Sequence, residues 1–344
     1  MKRIPRDPEK FEVIDLFAAI GGRKGFSLTD EGSKKSFLET ISKSLTVSRE
    51  NPIILHGRRT EEMFGYIAAS LGKCVAVKQE DKGEPYVEDI DIQIPDYRIV
   101  TRDGYEFFAE VKNCRQRIDK DYVFKIDYIK RLKRYGYIFK HDMKIAIYWS
   151  YPNIWTLSSV DMIPFNGNRF SISIGHAAKI NEMATLGDYL IGTTPPLSFR
   201  ILTDSSKPRF VNPDGQVEFT IGEISFFCSG IKIDKPLEKA LTYYFLLYGN
   251  WASKGPIANI ENNELISIDI VAEPLNRSPN QGFETVGYYS SMISRRYTHL
   301  LESSRGDELI SLWADPDSLS ITIPSDYKGD HLPLWRFIQR PNLK

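Results

Sequence analysis

The chain has 344 residues, which at roughly 100–200 residues per domain implies two or three domains. Apolar residues make up 42% and aromatics 12%, enough to build large cores, so wholesale disorder is excluded. Lys+Arg and Asp+Glu both number 45, and this balance excludes a globally basic histone-like binder while allowing a local basic face.

No stretch approaches the roughly 20 apolar residues of a membrane helix. The run Leu241–Tyr248 is far shorter, and Met1–Asp15 is charged every few residues with no apolar signal region. Cys74, Cys114 and Cys228 are odd in number and widely spaced, so they fit neither a disulfide framework nor a zinc knuckle. The expectation is a cytoplasmic protein with reduced, buried thiols and no membrane contact.

The first 55 residues read as helical. Phe11–Ile20 has helical apolar spacing and is expected to stop at Gly21-Gly22; Thr29-Asp30 is placed to cap a second helix through Lys43. A third helix, about Arg59–Leu71, sets Met63, Phe64, Ile67, Ala68 and Leu71 on one face before Gly72. The period then switches to that of strands. Cys74–Val77 is short, Ile90, Ile92 and Ile94 alternate with polar residues, and Tyr97–Thr101 and Tyr105–Lys112 flank Arg102-Asp103-Gly104. A long helix is expected over Asp121–Tyr137, facing inward through Tyr122, Ile126, Ile129 and Leu132, and then a strand over Lys144–Trp149. This order is that of one α/β unit over 56–155. Beyond it, Arg169–Ile174 and Val217–Ile233 read as strands, Met183–Ile191 as a helix, and Pro195-Pro196 and Lys207–Gly215 as loops. Leu237–Tyr248 and Tyr288–Leu301 read as helices around a strand at Leu265–Val271. The expected division is a helical segment 1–55, a core 56–155, a β-rich extension 156–235 and an α+β region 236–344, with a boundary near 235.

The chemistry concentrates in Pro95-Asp96 and Glu110-Val111-Lys112. Residues two apart in a strand share a face, so Glu110 and Lys112 point one way and Ala109 and Val111 into the core. A carboxylate holds a hard divalent cation, and an adjacent ammonium orients a water and offsets developing negative charge. With a three-residue loop at Arg102-Asp103-Gly104 and Gly104 left-handed, paired residue numbers add to 206, which puts Asp96 opposite Glu110 on the same face. A two-residue Asp-Gly turn would move Asp96 to the other face. Pro95 interrupts the preceding alternation and frees Asp96 from its parity.

This arrangement resembles the PD-(D/E)XK nuclease superfamily, which includes many restriction enzymes and archaeal Holliday-junction resolvases. The resemblance covers about 56–155. It implies an α/β fold, with a restriction-endonuclease-like core of a mixed sheet flanked by helices. It implies that Asp96, Glu110 and the Val111 carbonyl hold Mg²⁺ or Mn²⁺ and that Lys112 positions the attacking water. Gly57-Arg58-Arg59-Thr60-Glu61 resembles the start of the family's first helix, where a glutamate often joins the metal site; Glu61 takes that place, with Glu62 the adjacent alternative. The helix after Lys112 lacks the family's Gln, and Lys130 or Lys133 is the nearest substitute.

Charge is distributed accordingly. Residues 61–114 hold 12 Asp+Glu against 6 Lys+Arg, and residues 115–144 hold 10 Lys+Arg against 4 Asp+Glu, so an acidic segment adjoins a basic helix. Lys130, Arg131, Lys133 and Arg134, with Tyr135 and Tyr137, are expected to contact a nucleic-acid backbone rather than only keep a surface wet. Arg295 and Arg296 form a second basic pair on a helix that reads either as DNA-facing or as a core helix with a basic edge.

Other signals are weaker. Asp15–Gly22 resembles the cofactor-binding opening of cytosine-C5 DNA methyltransferases, but the chain has no Pro-Cys pair, so a helix ending at glycines is expected. Asp89 and Asp91 read as outward acids, the five histidines lack metal spacing, and no phosphate loop occurs. The expected function is a divalent-metal-dependent nuclease acting on DNA, with RNA left open, in a restriction or antiviral-defence setting by analogy with the family. Its C-terminal region would select substrate or pair two protomers as a homodimer. The competing expectations are a non-catalytic nucleic-acid binder on the same fold, and a nuclease gated by a ligand or partner.

Overall fold

Three helices lead into the molecule: α1 (Val13–Lys24), α2 (Glu31–Arg49) and α3 (Pro52–Ser70). The structure, a computed structural model, describes residues 1–4, 12–81, 86–88, 91–302 and 314–342. Helix α1 runs through Gly21-Gly22 and stops at Gly25, whose φ of +69° is the left-handed end that glycine supplies. Gly21 is kept by packing, since a Cβ there would lie 3.2 Å from Cβ of Phe26. The expected start of this helix at Phe11 lies outside the described residues. Asp30 caps α2 as expected, accepting from Gly32 and Ser33 N–H, but the helix continues past Lys43 to Arg49.

The central sheet follows. Strands β1 (Cys74–Gln79), β2 (Tyr97–Thr101) and β3 (Glu106–Cys114) lead to β4 (Tyr122–Phe124), helix α4 (Ile126–Phe139), β5 (Asp142–Trp149) and β6 (Ile154–Ser159). The sheet order is β1-β2-β3-β5-β6, with β3 and β5 parallel across α4 and the other neighbours antiparallel, so this is a mixed α/β fold with a sheet between helices. Along β3, Phe107, Ala109 and Val111 enter a core with Phe64 and Ile67 of α3, while Phe108 enters one with Ile129 and Leu132 of α4. Both faces of β3 are therefore covered, and the face carrying Glu110 and Lys112 is not a solvated one.

Two expectations fail around this sheet. Tyr122–Phe124 is a strand, because this β-branched and aromatic run pairs with Phe170–Ile172 before the helix begins at Ile126. Residues 91–95 form no strand, since Glu80 N–H bonds the Asp96 carbonyl and Gln93 N–H the Arg131 carbonyl instead; Asp89 and Ile90 lie outside the described residues.

The remainder comprises β7 (Phe170–Ile172), α5 (Ile174–Lys179), β8 (Leu190–Thr193), β9 (Leu197–Thr203), β10 (Ile221–Cys228), β11 (Ile231–Ile233), α6 (Pro236–Tyr248), β12 (Ala252–Glu261), β13 (Glu264–Glu273), β14 (Glu284–Tyr288), α7 (Tyr289–Glu302) and β15 (Leu334–Phe337). The expected helix at Met183–Ile191 is only a 3-10 turn over Met183–Thr185 followed by β8. Gly187 breaks it: its φ is +111°, and a Cβ there would sit 2.2 Å from the Leu71 carbonyl oxygen. One sheet has the order β11-β10-β9-β13-β12 and another β14-β8-β15. Both draw strands from either side of the boundary expected near residue 235. A single apolar core also runs from Met63 of α3 through Trp155 of β6 to Met292 of α7 and Leu332. Cys74, Cys114 and Cys228 are free and buried. Among the described residues no helix is long and apolar enough to cross a membrane.

Candidate active site

The hairpin register fixes the site. Tyr97 lies opposite Ala109, Arg98 opposite Phe108, Ile99 opposite Phe107 and Val100 opposite Glu106, so every pair adds to 206. The loop between them is the three-residue one: Thr101 N–H donates to the Tyr105 carbonyl at 2.9 Å, and Gly104 has φ +84°. Continuing the ladder would bring residue 95 opposite Val111. Pro95 has no N–H to give the Val111 carbonyl. The Val111 N–H turns instead to the Asp96 carboxylate, donating to Oδ2 at 2.6 Å. In a strand the N–H and C=O of one residue point the same way, so the Val111 carbonyl faces the Asp96 side as well. The proline thus ends β2 where two oxygens, one from a side chain and one from the backbone, come to the same edge.

Glu110 is only 3% exposed. Its Oε1 accepts from Lys112 Nζ at 2.5 Å and from the Tyr128 hydroxyl, while Oε2 is buried with no hydrogen-bond partner. Lys112 Nζ also donates to the Tyr128 oxygen at 2.8 Å and lies 4.8 Å from the centre of that ring. Burial pulls the Lys112 pKa down, but Glu110 and Tyr128 outweigh it and hold the group above the ordinary lysine value. Lys112 is therefore held as an ammonium beside Glu110 and Tyr128. Burial and then the Glu110 charge push the Asp96 carboxyl up to about 8, against the Val111 N–H, and Glu61 raises it further. Burial also lifts the Glu61 carboxyl, although Arg58 pulls it down from 3.2 Å.

These observations test whether the residues fit a divalent cation. An Asp96 carboxyl whose charging Glu110 opposes, together with a buried Glu110 oxygen lacking a donor, fits a hard cation. Among the described residues no group of three or more His, Cys, Asp or Glu side chains is arranged to hold a metal. A pair of carboxylates is what Mg²⁺ ordinarily takes from protein, keeping waters and substrate oxygens for its other positions.

Glu61 and Glu62 differ in what they face. The Glu61 charge raises the Asp96 carboxyl, and Lys112 in turn favours the ionised form of Glu61. Glu62 acts on Tyr297, whose hydroxyl burial raises first and Glu62 further. Tyr128 was not among the residues expected at the site. Its hydroxyl meets both Glu110 and Lys112, whereas Lys130 is exposed and Lys133 pairs with Asp161 at 2.6 Å. Its signal was its position in the first turn of α4, one residue before the buried Ile129. Arg131 lies 3.9 Å from Asp91, and Arg134 sits over the Tyr137 ring at 5.5 Å. Arg295 is tied to the end of α6, donating to the Tyr248 carbonyl at 2.7 Å and to Asn250 Oδ1, and Arg296 lies over the rings of Tyr244 and Tyr248.

No family model matches the chain, and no curated protein matches it in sequence. Among solved structures it is similar to Hjc, a Holliday junction resolvase from the archaeal hyperthermophile Archaeoglobus fulgidus. The identity is 16% and the TM-score 0.30, and the match covers 38% of this chain and 96% of the resolvase chain. At that TM-score the likeness carries no weight for function, which has to rest on the residues themselves.

The raised Asp96 carboxyl has a direct consequence in metal-free protein. A carboxyl whose folded value, about 8, exceeds its ordinary 3.8 favours folding fully below pH 4 and loses that contribution as pH rises through 8. Asp96→Asn keeps an oxygen for the Val111 N–H and removes the charge. In EDTA its lead in melting temperature over wild type is expected to be modest at pH 5, where the unfolded carboxyl is already ionised, and to reach full size at pH 8.5, by roughly 2–4 °C for each kcal/mol regained. Parallel melting curves at both pH values would show that Asp96 is not charged against its surroundings.

Proposed function

We propose that the chain is a divalent-metal-dependent nuclease that hydrolyses DNA phosphodiester bonds. The observation that carries this reading is the Asp96–Glu110 pair at the open end of the β2–β3 hairpin, with Lys112 held as an ammonium beside it. Asp96, Glu110 and the Val111 carbonyl would hold Mg²⁺ or Mn²⁺, with Glu61 alongside. A cation there supplies Lewis-acid polarisation of the phosphate and an acidified water. Lys112 would orient the attacking water and offset charge gathering on the phosphoryl oxygens. Asp96 fixes the edge of β3 through the Val111 N–H, which sets where the carbonyl and carboxylates meet. Tyr128 accepts from Lys112 and donates to Glu110, so it orients both without touching substrate. Lys130, Arg131, Lys133 and Arg134 on α4 would follow the DNA backbone away from Tyr128. A restriction or defence role is the setting suggested by the family resemblance, and a homodimer would supply two sites for two strands.

The test is cleavage of mixed supercoiled and single-stranded DNA in Mg²⁺ or Mn²⁺ against EDTA, with wild type and Lys112→Ala side by side. Cutting that needs metal and Lys112 is expected. DNA binding without cutting under every metal condition would point to a silent binder. Tyr128→Phe is expected to slow cutting by about 10–100-fold, as loss of an orienting partner does, with folding intact. An unchanged rate would remove Tyr128 from the site.

A further inference from the structure

Two adjoining cavities open on the other side of β3. One, of about 320 Å³, is lined by Arg59 and Thr60 of α3, Asn113 and Arg115 after Lys112, and Thr298 of α7. The second, of about 510 Å³, is lined by Tyr248, Arg295 and His299. Tyr148 and Thr298 line both, so the two form one cleft along α7. Neither is lined by any Asp or Glu, although the chain has as many acids as bases. Within this wall Asn113 Oδ1 is buried without a hydrogen-bond partner. Tyr148 stacks on Trp155 and is held by its hydroxyl on Asn153, which fixes the ring at the junction of the cavities.

Guanidinium groups, an aromatic ring and an unsatisfied carbonyl oxygen are the complements of a phosphate, a base face and a base amino group. The cleft also adjoins the carboxylates in the chain: Asn113 follows Lys112 on the opposite face of β3, and Thr60 precedes Glu61. We propose that this cleft binds single-stranded nucleic acid, taking one nucleotide against Tyr148 and Asn113 with its phosphate on Arg115 and Arg59. The proposal deepens the nuclease reading by naming the form of substrate, a strand that is unpaired where it passes the end of β3. A base inside a duplex cannot present its face to Tyr148 and its edge to Asn113 together.

Binding measured without metal separates this proposal from the nuclease reading, because nothing is cut. The assay is fluorescence anisotropy in EDTA with a labelled oligodeoxynucleotide of about 12 nucleotides and with a duplex of the same sequence. Arg115 and Thr298 are exposed, so Arg115→Glu and Thr298→Trp are expected to fold. Each should weaken single-strand binding by about tenfold or more while leaving duplex binding within about twofold. AMP or dAMP in about thousandfold excess over the oligonucleotide is expected to leave it bound if the cleft reads a strand. Displacement of the oligonucleotide by a mononucleotide at low micromolar concentration would overturn the proposal in favour of a free-nucleotide site. Unchanged single-strand affinity in both variants, or equal losses on duplex, would overturn it as well.

Discussion

Lys112→Ala is expected to lower metal-dependent cleavage by about 10²–10³-fold, the usual cost of removing one preorganised donor of positive charge. The size follows from how firmly the ammonium is held. It has Glu110 at 2.5 Å and the Tyr128 oxygen at 2.8 Å, and these hold it charged against its burial. No rearrangement is then needed when charge develops on the phosphate. The substitution also leaves Glu110, already buried, with one donor fewer, so loss of activity has to be read beside a melting curve and a calorimetric metal titration. A folded variant that binds metal and cuts slowly is the expected result. A folded variant that cuts within about threefold of wild type would exclude Lys112 from the reaction.

Trp155→Ala is expected to destabilise the fold by about 3–5 kcal/mol. Trp155 is 1% exposed, lies 5.4 Å from the Phe64 ring and stacks on Tyr148 at 4.9 Å. Its indole N–H donates to Ser294 Oγ of α7 at 2.9 Å. Asn153 and Ser291 add two further bonds between the β5–β6 hairpin and α7, at 3.1 and 2.6 Å. The ring therefore joins the sheet that carries Glu110 to the C-terminal half. Urea unfolding followed by circular dichroism should show one transition moved to lower urea with its slope unchanged. Trp155→Phe should recover part of the loss, since it restores volume without the indole bond. Two separated transitions in wild type would mean that the halves unfold independently and that Trp155 holds only one of them.

The hairpin and its acids were legible because they depend on local chemistry. Gly104 selects the loop, the loop selects the register, and the register decides the face of Asp96. Asp30 as a cap and Gly72 after the third helix were legible for the same reason, with Gly72 at φ +88°. What escaped was set by distant partners. Tyr122–Phe124 is a strand only because Phe170–Ile172 lies beside it, and Gly187 is needed only because the Leu71 carbonyl is there. Tyr128 was missed because nothing in α4 itself says that its hydroxyl meets a carboxylate 18 residues earlier. A boundary near 235 rests on a change of periodicity, which carries no information about which strands share a sheet.

That sharing bears on how this chain can diversify. Exchange of modules between proteins needs a seam crossed by few interactions. Here β9 is bonded between β10 and β13, and β8 between β14 and β15, so each half completes the other's sheets. A recombination point between them would strand open β edges on both products. The carboxylate hairpin lies outside this constraint, because its own sheet β1-β2-β3-β5-β6 is complete within residues 74–159; it is the strands between residues 190 and 337 that have to be inherited together.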